Sequence, residues 1–190
     1  MLDTIAAGIN AAVPGANAQV LNAEDAKCDG SVLVEAAHIH AVAAHLKASG
    51  TMNVLQCITG VDYTEYLEVV YVMAKFDLAA PAQLLLKVRV TDRVNGAVDS
   101  IVDLYPAANF QERECWDMLG VRFNNHPDHR RILCPDDWEG FPLRKDYITQ
   151  KDYRGMQVYP EGKMNMGDRE FIVRQDMIKK AQEAAAGKVQ

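Results

Sequence analysis

Three β-rich runs, NVLQCITGVDY, YLEVVYVMAKF and AQLLLKVRV, follow one another between residues 53 and 90, parted only by polar segments of turn length. Connections that short leave no room for a crossover helix, so the runs predict antiparallel pairing. Two helices are available to cover one face of such a sheet. Leu2, Ile5, Ile9 and Val13 recur at three- and four-residue spacing, which predicts an amphipathic helix stopping at Pro14-Gly15. HIHAVAAHLKASG sets Ile39, Val42, Ala43 and Leu46 on one helical face and ends with Gly50 as C-terminal cap. Between these helices, AQVL and SVLVEA read as short strands around a polar turn containing Asp29-Gly30. His38, His40 and His45 lie on or beside the second helix and make no site by spacing alone.

The texture changes after SIVDLYP. Pro106 suits a first helical turn, and AANFQERECWDMLG predicts a helix of about three turns that stops at Gly120. Beyond it Pro127, Pro135, Pro142 and Pro160 alternate with Gly140, Gly155, Gly162 and Gly167, a density that predicts an irregular path. Trp138, Phe141, Tyr147, Tyr153 and Tyr159 argue against disorder there, so the segment reads as an arm laid over a surface. Phe171, Ile172, Ile178 and Ala181 among charges predict a final helix, fraying through AAAGKVQ. The fold class is therefore α+β: a small, mostly antiparallel sheet covered by two helices, followed by a helix and an extended irregular C-terminal arm. Residues 1–120 form the α+β domain with its closing helix, and residues 121–190 the arm and C-terminal helix.

Composition narrows the partners. Twenty-six acidic side chains against 20 basic ones give a net charge of -6, which repels polyanions and makes nucleic acid a poor partner. No stretch approaches the roughly 20 apolar residues that cross a bilayer, and the N-terminus lacks the basic start of a signal peptide. A soluble cytoplasmic chain is expected, attached to a membrane only through partners. Cys28, Cys57, Cys115 and Cys134 show no CxxC, which fits reduced thiols, with Cys57 read as a buried small hydrophobe.

Residues 112–147, ERECWDMLGVRFNNHPDHRRILCPDDWEGFPLRKDY, gather carboxylates, arginines, two histidines, two cysteines and both tryptophans. Three chemistries compete for this stretch. General acid-base catalysis needs paired carboxylates. Glu112 and Glu114 point to opposite sides of a helix, while Glu114 and Asp117 share a face and Arg113 can pair with Asp117 four residues on. With no serine, separate base or glycine-rich loop nearby, that is ion-pair architecture. Cys115, His126, His129 and Cys134 are zinc ligand types and raise a metal-dependent hydrolase as a second possibility. Their spacing is poor, because a lone Cys is parted from the His pair by ten intervening residues and Pro127 keeps that pair out of a regular helix. The third reading is an interface: arginines interleaved with carboxylates and aromatic rings are the composition of interface centres. A free-standing binding domain with no part in a larger assembly is a separate class.

The order of residues adds to this. Glu112-Arg113-Glu114, Asp117-Met118-Leu119-Gly120, His126-Pro127-Asp128, Arg130-Arg131-Ile132-Leu133, Gly140 and Pro142-Leu143-Arg144-Lys145-Asp146-Tyr147 resemble the C-type subunit of NADH:quinone oxidoreductase, the family that includes the thirty-kilodalton-class subunit of respiratory complex I. The resemblance covers residues 54–147 well, and the first 50 residues only in pattern. It implies a structural subunit of the hydrophilic arm of a proton-translocating enzyme, peripheral on the cytoplasmic face of the cell membrane, with no catalytic residues of its own. By the same resemblance the chain binds no cofactor, while the complex uses NADH, FMN, iron-sulfur clusters and quinone. The implied partners are the D-type quinone-site subunit and the B- and I-type cluster-carrying subunits, with the arm laid on them. Glu112, Arg113, Glu114, Asp117, His126, Arg130, Arg131, Arg144, Lys145 and Asp146 carry over as structural or contact residues. His129 departs from the leucine usual in the family, and Cys115 and Cys134 stand where it requires no cysteine. Related subunits occur in ferredoxin-linked and hydrogenase-type complexes, so the electron donor stays open.

Overall fold

The computed structural model describes residues 2–21, 30–77, 82–158 and 166–186. The chain forms two compact units, Met1–Trp138 and Glu139–Gln190. Cys28, Asp29 and Tyr159, the side chains of Phe171 and Ile172, and the end of AAAGKVQ lie outside the described residues.

The first unit opens with α1 (Leu2–Ala12), β1 (Gln19–Leu21) and β2 (Ser31–Val34), then passes through a 3-10 turn at Ala36–His38 into α2 (Ile39–Ala48). The three β-rich runs become β3 (Val54–Asp62), β4 (Leu67–Lys75) and β5 (Ala82–Val90). Strand order is β1-β2-β5-β4-β3. Within this sheet the β3-β4, β4-β5 and β1-β2 pairs are antiparallel and the β2-β5 pair is parallel. That parallel pair arises because α2 carries the chain over the sheet before β3, so β5 returns beside β2 in the same direction.

Alternation decides which face is covered. Val32, Val34, Leu84, Leu86, Val88, Val69, Tyr71 and Met73 occupy matched positions across β2, β5 and β4 and are all buried. Ile9 of α1 and Ile39, Val42 and Leu46 of α2 close the same core. In β3 the register slips between Leu55 and Cys57, so both Leu55 and Ile58 turn inward. The bulge also corrects the expectation for Cys57. Its thiol is exposed rather than buried, because it pairs with Val72 on the outer side of an edge strand.

The unit ends with β6 (Ala97–Asp99), α3 (Ala108–Leu119) and β7 (Arg122–Asn124), β7 lying parallel to β6. A Cβ at Gly60 of β3 would collide with Leu119 Cδ1 and fall 2.9 Å from Cys115 Sγ. Glycine there allows α3 to rest directly on the strand.

In the second unit β8 (Asp152–Tyr153) and β9 (Met156–Gln157) make a hairpin through Arg154 and Gly155, both at positive φ, and α4 runs over Met166–Ala186. Arg144 stacks its guanidinium 4.6 Å from the Phe141 ring centre. The irregular path expected after residue 120 is thus interrupted by the short strands β7, β8 and β9. Among the described residues no helix is long and apolar enough to cross a membrane.

Candidate functional site

Helix α3 buries a stripe made of Ala108, Glu112, Cys115 and Leu119, the spacing of one helical face, and stops at Gly120, whose φ of 78° is left-handed. A glutamate thus occupies a core position. Glu112 is fully buried, and each oxygen accepts one bond: Ser100 Oγ donates to Oε2 at 2.6 Å and the Ile101 amide to Oε1 at 2.9 Å. Burial pushes its carboxyl up to about 7, against the lowering effect of those two bonds and with a further upward push from Asp103. Next to it, at 3.9 Å, is Nε2 of His126, whose side chain is also out of solvent. Nδ1 of His126 accepts the Asp128 amide at 3.0 Å, so the ring hydrogen belongs on Nε2, 3.1 Å from the carbonyl oxygen of Asn109. Both ring nitrogens are spent on holding the loop after β7 against the start of α3.

At the other end of the helix Asp117 is equally buried but better supplied with donors. Oδ2 accepts three consecutive backbone amides, Ile132 at 3.1 Å, Leu133 at 2.7 Å and Cys134 at 2.8 Å. Oδ1 accepts Arg131 Nη1 at 2.6 Å. Burial alone would raise this carboxyl, but the bonds from Cys134, Arg131, Leu133 and Ile132 outweigh it and hold the group below the usual aspartate range. Arg131 extends the clamp by donating to the Trp138 carbonyl oxygen at 3.0 Å, with its guanidinium 5.7 Å from the Trp116 ring centre. Arg113, 5% exposed, donates to the carbonyl oxygens of Arg130 at 3.1 Å and Arg131 at 3.2 Å and pairs with Asp128 at 3.4 Å. Residues 128–134 are therefore strapped to α3 from both sides of their backbone.

Two expectations change here. Arg113 does not take Asp117 as its partner four residues on. The strap offers Asp117 a guanidinium and three amides, more than one helical neighbour can give a buried carboxylate. Nor do Glu114 and Asp117 share an environment, because Glu114 is exposed and Asp117 is not. The neighbouring arginines also part company: Arg131 has 11% of its side chain exposed and Arg130 has 69%, Arg130 touching Asp128 through Nε. Arg144, Lys145 and Asp146 stand in the second unit, where Lys145 and Asp146 are exposed and the Asp146 carbonyl oxygen accepts Gln182 Nε2 at 3.1 Å.

The zinc-type side chains are otherwise engaged. Cys115 is buried against Gly60, with its thiol pushed up to about 12 by burial and then by Glu112 and Glu114. His129 accepts the Phe123 amide on Nε2 at 3.2 Å and lies 4.4 Å from the Trp116 ring centre. Among the described residues no three His, Cys, Asp or Glu side chains gather as a metal-holding group. Ser100, Asn109, Asp128 and the amides of residues 132–134 complete the network without having been singled out as site residues. The interval of Glu112 within the Ala108, Cys115 and Leu119 stripe was the available signal.

An α+β domain whose closing helix straps the following segment with buried carboxylates is, by its chemistry, a module that fixes backbone geometry. A family model, "Respiratory-chain NADH dehydrogenase, 30 Kd subunit", matches residues 32–153, and the chain belongs to that family. It is 45% identical over 107 residues to the NADH-quinone oxidoreductase C-type subunit of Chlorobium phaeobacteroides, covering 56% of this chain and 64% of that one. The namesake from Chloroherpeton thalassium is 44% identical, with 55% of this chain and 43% of that one covered. That from Moorella thermoacetica is 42% identical over 125 residues, with 64% and 82% covered. Against the first two of these relatives, then, the chain spans less than two thirds of their length. A chain in the structure of a membrane-bound sulfane sulfur reductase, an archaeal respiratory membrane complex, has the same fold, with a TM-score of 0.62 at 24% identity over 86% of this chain and 97% of that one.

Proposed function

We propose that the chain is a structural subunit of the hydrophilic arm of a proton-translocating NADH:quinone oxidoreductase. It binds no cofactor itself and holds the D-type quinone-site subunit and the B- and I-type cluster-carrying subunits in register for electron transfer from NADH to quinone. The complex, not this chain, uses NADH, FMN, iron-sulfur clusters and quinone, and membrane attachment at the cytoplasmic face is peripheral, through those partners.

The observation that carries this reading is the saturation of the motif by its own backbone. Asp117 spends both oxygens, Arg113 and Arg131 donate to main-chain carbonyls, and His126 spends both ring nitrogens. Groups so engaged are suited to fixing a surface, and none is left poised to accept or deliver a proton to a substrate. The motif then divides by exposure. Glu112, Arg113, Asp117, His126 and Arg131 brace the segment, whereas Glu114, Arg130, Lys145 and Asp146 are contact residues. Arg144 supports the second unit, and the residues beyond 120 with the C-terminal helix lie on the partner subunits.

Affinity isolation of the tagged full chain from detergent-solubilised membranes tests this. The quinone-site and cluster-carrying chains should co-purify, and deletion of the gene should depress NADH:quinone reduction until the chain is restored. A chain recovered alone, with unchanged membrane activity after deletion, overturns the reading. Recovery with a ferredoxin-linked or hydrogenase-type donor module instead would make it the equivalent subunit of such a complex.

A further inference from the structure

Glu112 and His126 face each other with both side chains out of solvent, and the carboxyl has fewer donors than a buried charge needs. Asp117 on the same helix collects three amides and a guanidinium, whereas Glu112 collects Ser100 Oγ and the Ile101 amide. The acid form of Glu112 fits this set as it stands: Oε1 accepts the amide, and Oε2 carries the hydrogen and donates it to Ser100 Oγ. The carboxylate form has no hydrogen to give, so Ser100 must donate and Oε2 keeps room for a further donor. Nε2–H of His126 stands 3.9 Å from that oxygen and serves the Asn109 carbonyl at 3.1 Å. Asn109 lies in the first turn of α3, so its carbonyl keeps a helical partner when the ring leaves it. The ring can pivot on Nδ1, which stays on the Asp128 amide at 3.0 Å.

We propose that Glu112 and His126 form a buried, proton-operated toggle: the carboxylate draws the His126 Nε2–H from the Asn109 carbonyl to Oε2, and the acid form returns it. The Asp128 amide moves with the ring, so the proton on Glu112 sets where the strap of residues 128–134 begins against α3. With the Glu112 carboxyl pushed up to about 7 by burial, the acid form holds below that pH and the carboxylate form above it. The groups around the pair leave His126 as the donor in place. Asp103 pushes the Glu112 carboxyl further up, and the Cys115 thiol, itself pushed up to about 12 by burial, brings no charge. Arg113 is turned to the strap carbonyls, and Asp128 and His129 lie beside the His126 ring, the two imidazole centres 5.8 Å apart. The competing donor is Tyr71 of β4. Its hydroxyl is buried with no hydrogen-bond partner among the described residues, and burial, then Glu112, Cys115 and Asp99, push it up. The toggle lies within the first unit and does not depend on which assembly the chain joins.

Nuclear magnetic resonance of the full-length chain, carried from about pH 5 to about pH 8, reads both partners: the Glu112 side-chain carboxyl carbon, and the His126 ring nitrogens with the Nε2 hydrogen. In the wild type the Glu112 carbon should titrate near pH 7. The Nε2 hydrogen should move downfield with the same midpoint, since a carboxylate is a stronger acceptor than a carbonyl, and the ring should keep its single hydrogen on Nε2. The Asp128 amide should follow that midpoint too. Glu112→Gln, which keeps the neutral shape, should abolish the His126 and Asp128 shifts, and Tyr71→Phe should leave them. A His126 signal that stays still while Glu112 titrates, or that moves equally in Glu112→Gln, overturns the toggle, as does a Glu112 carbon constant across the range. A still His126 with a Glu112 midpoint that rises in Tyr71→Phe assigns the further bond to the Tyr71 hydroxyl instead. A second hydrogen appearing on Nδ1 makes His126 itself the titrating group and also overturns the toggle. Should Glu112→Gln fail to fold, the wild-type titration alone decides.

Discussion

Glu112 and Asp117 stand little more than one turn apart on α3, both fully buried, yet their surroundings treat the same charge in opposite ways. Asp117 collects three amides and a guanidinium and is held ionised, whereas Glu112 collects one hydroxyl and one amide and is pushed up to about 7. Burial opposes both charges, so the number and charge of the donors decide the outcome. The C-terminal end of the helix is a permanent clamp. At the other end the join between the helix and the residue 100–101 loop depends on proton occupancy.

The largest effect should follow from breaking the clamp. Asp117→Ala leaves Arg131 without its carboxylate and three amides without an acceptor, and should cost about 3–5 kcal/mol in urea unfolding. Because the folded carboxyl titrates below its unfolded value, this stabilisation is present above about pH 4 and lost as pH falls through the folded value, so the variant and wild type should converge in acid. Equal denaturation midpoints at neutral pH would remove the clamp from the account.

The contrast sharpens with Glu112→Gln. Folded Glu112 titrates near 7 and an unfolded glutamate near 4.5, so folding takes up a proton between those values. Its favourable contribution is full below the lower value and is lost as pH rises through the higher. Stability of the glutamine variant relative to wild type should therefore climb from pH 5 to pH 8, by up to roughly 3 kcal/mol. A constant difference across that range would mean that Glu112 is ionised throughout.

The adjacent arginines give the smallest and cleanest comparison. Arg131→Ala should destabilise by about 2–4 kcal/mol through the charge it strands, and Arg130→Ala by no more than about 0.5 kcal/mol. Thermal melting of the two variants side by side distinguishes them, and equal losses would contradict the division into brace and contact.

Much of this fold could be read from residue spacing, because local patterns set the elements. The three β-rich runs paired as their short turns require, and Ile39, Val42, Ala43 and Leu46 faced the sheet together. The β2-β5 and β6-β7 pairings were not legible, since both join strands across intervening helices and depend on distant packing. Cys57 was misread because a bulge, invisible to alternation, resets the strand beyond Leu55. In the site, the burial of Glu112 was not read from the sequence, although its helical interval with Ala108, Cys115 and Leu119 carried the signal, and its partner Ser100 comes from a separate loop. The local pairing of Arg113 with Asp117 was sound as helix chemistry and gave way to a tertiary acceptor geometry that no periodicity encodes.

The most direct test of the clamp is hydrogen exchange at the amides of Ile132, Leu133 and Cys134 in the wild type and in Asp117→Asn. All three should be protected in the wild type and lose protection together in the variant, ahead of the amides of α3. Protection unchanged at these three positions, in a variant that remains folded, would contradict the claim that the motif carboxylate fixes the strap.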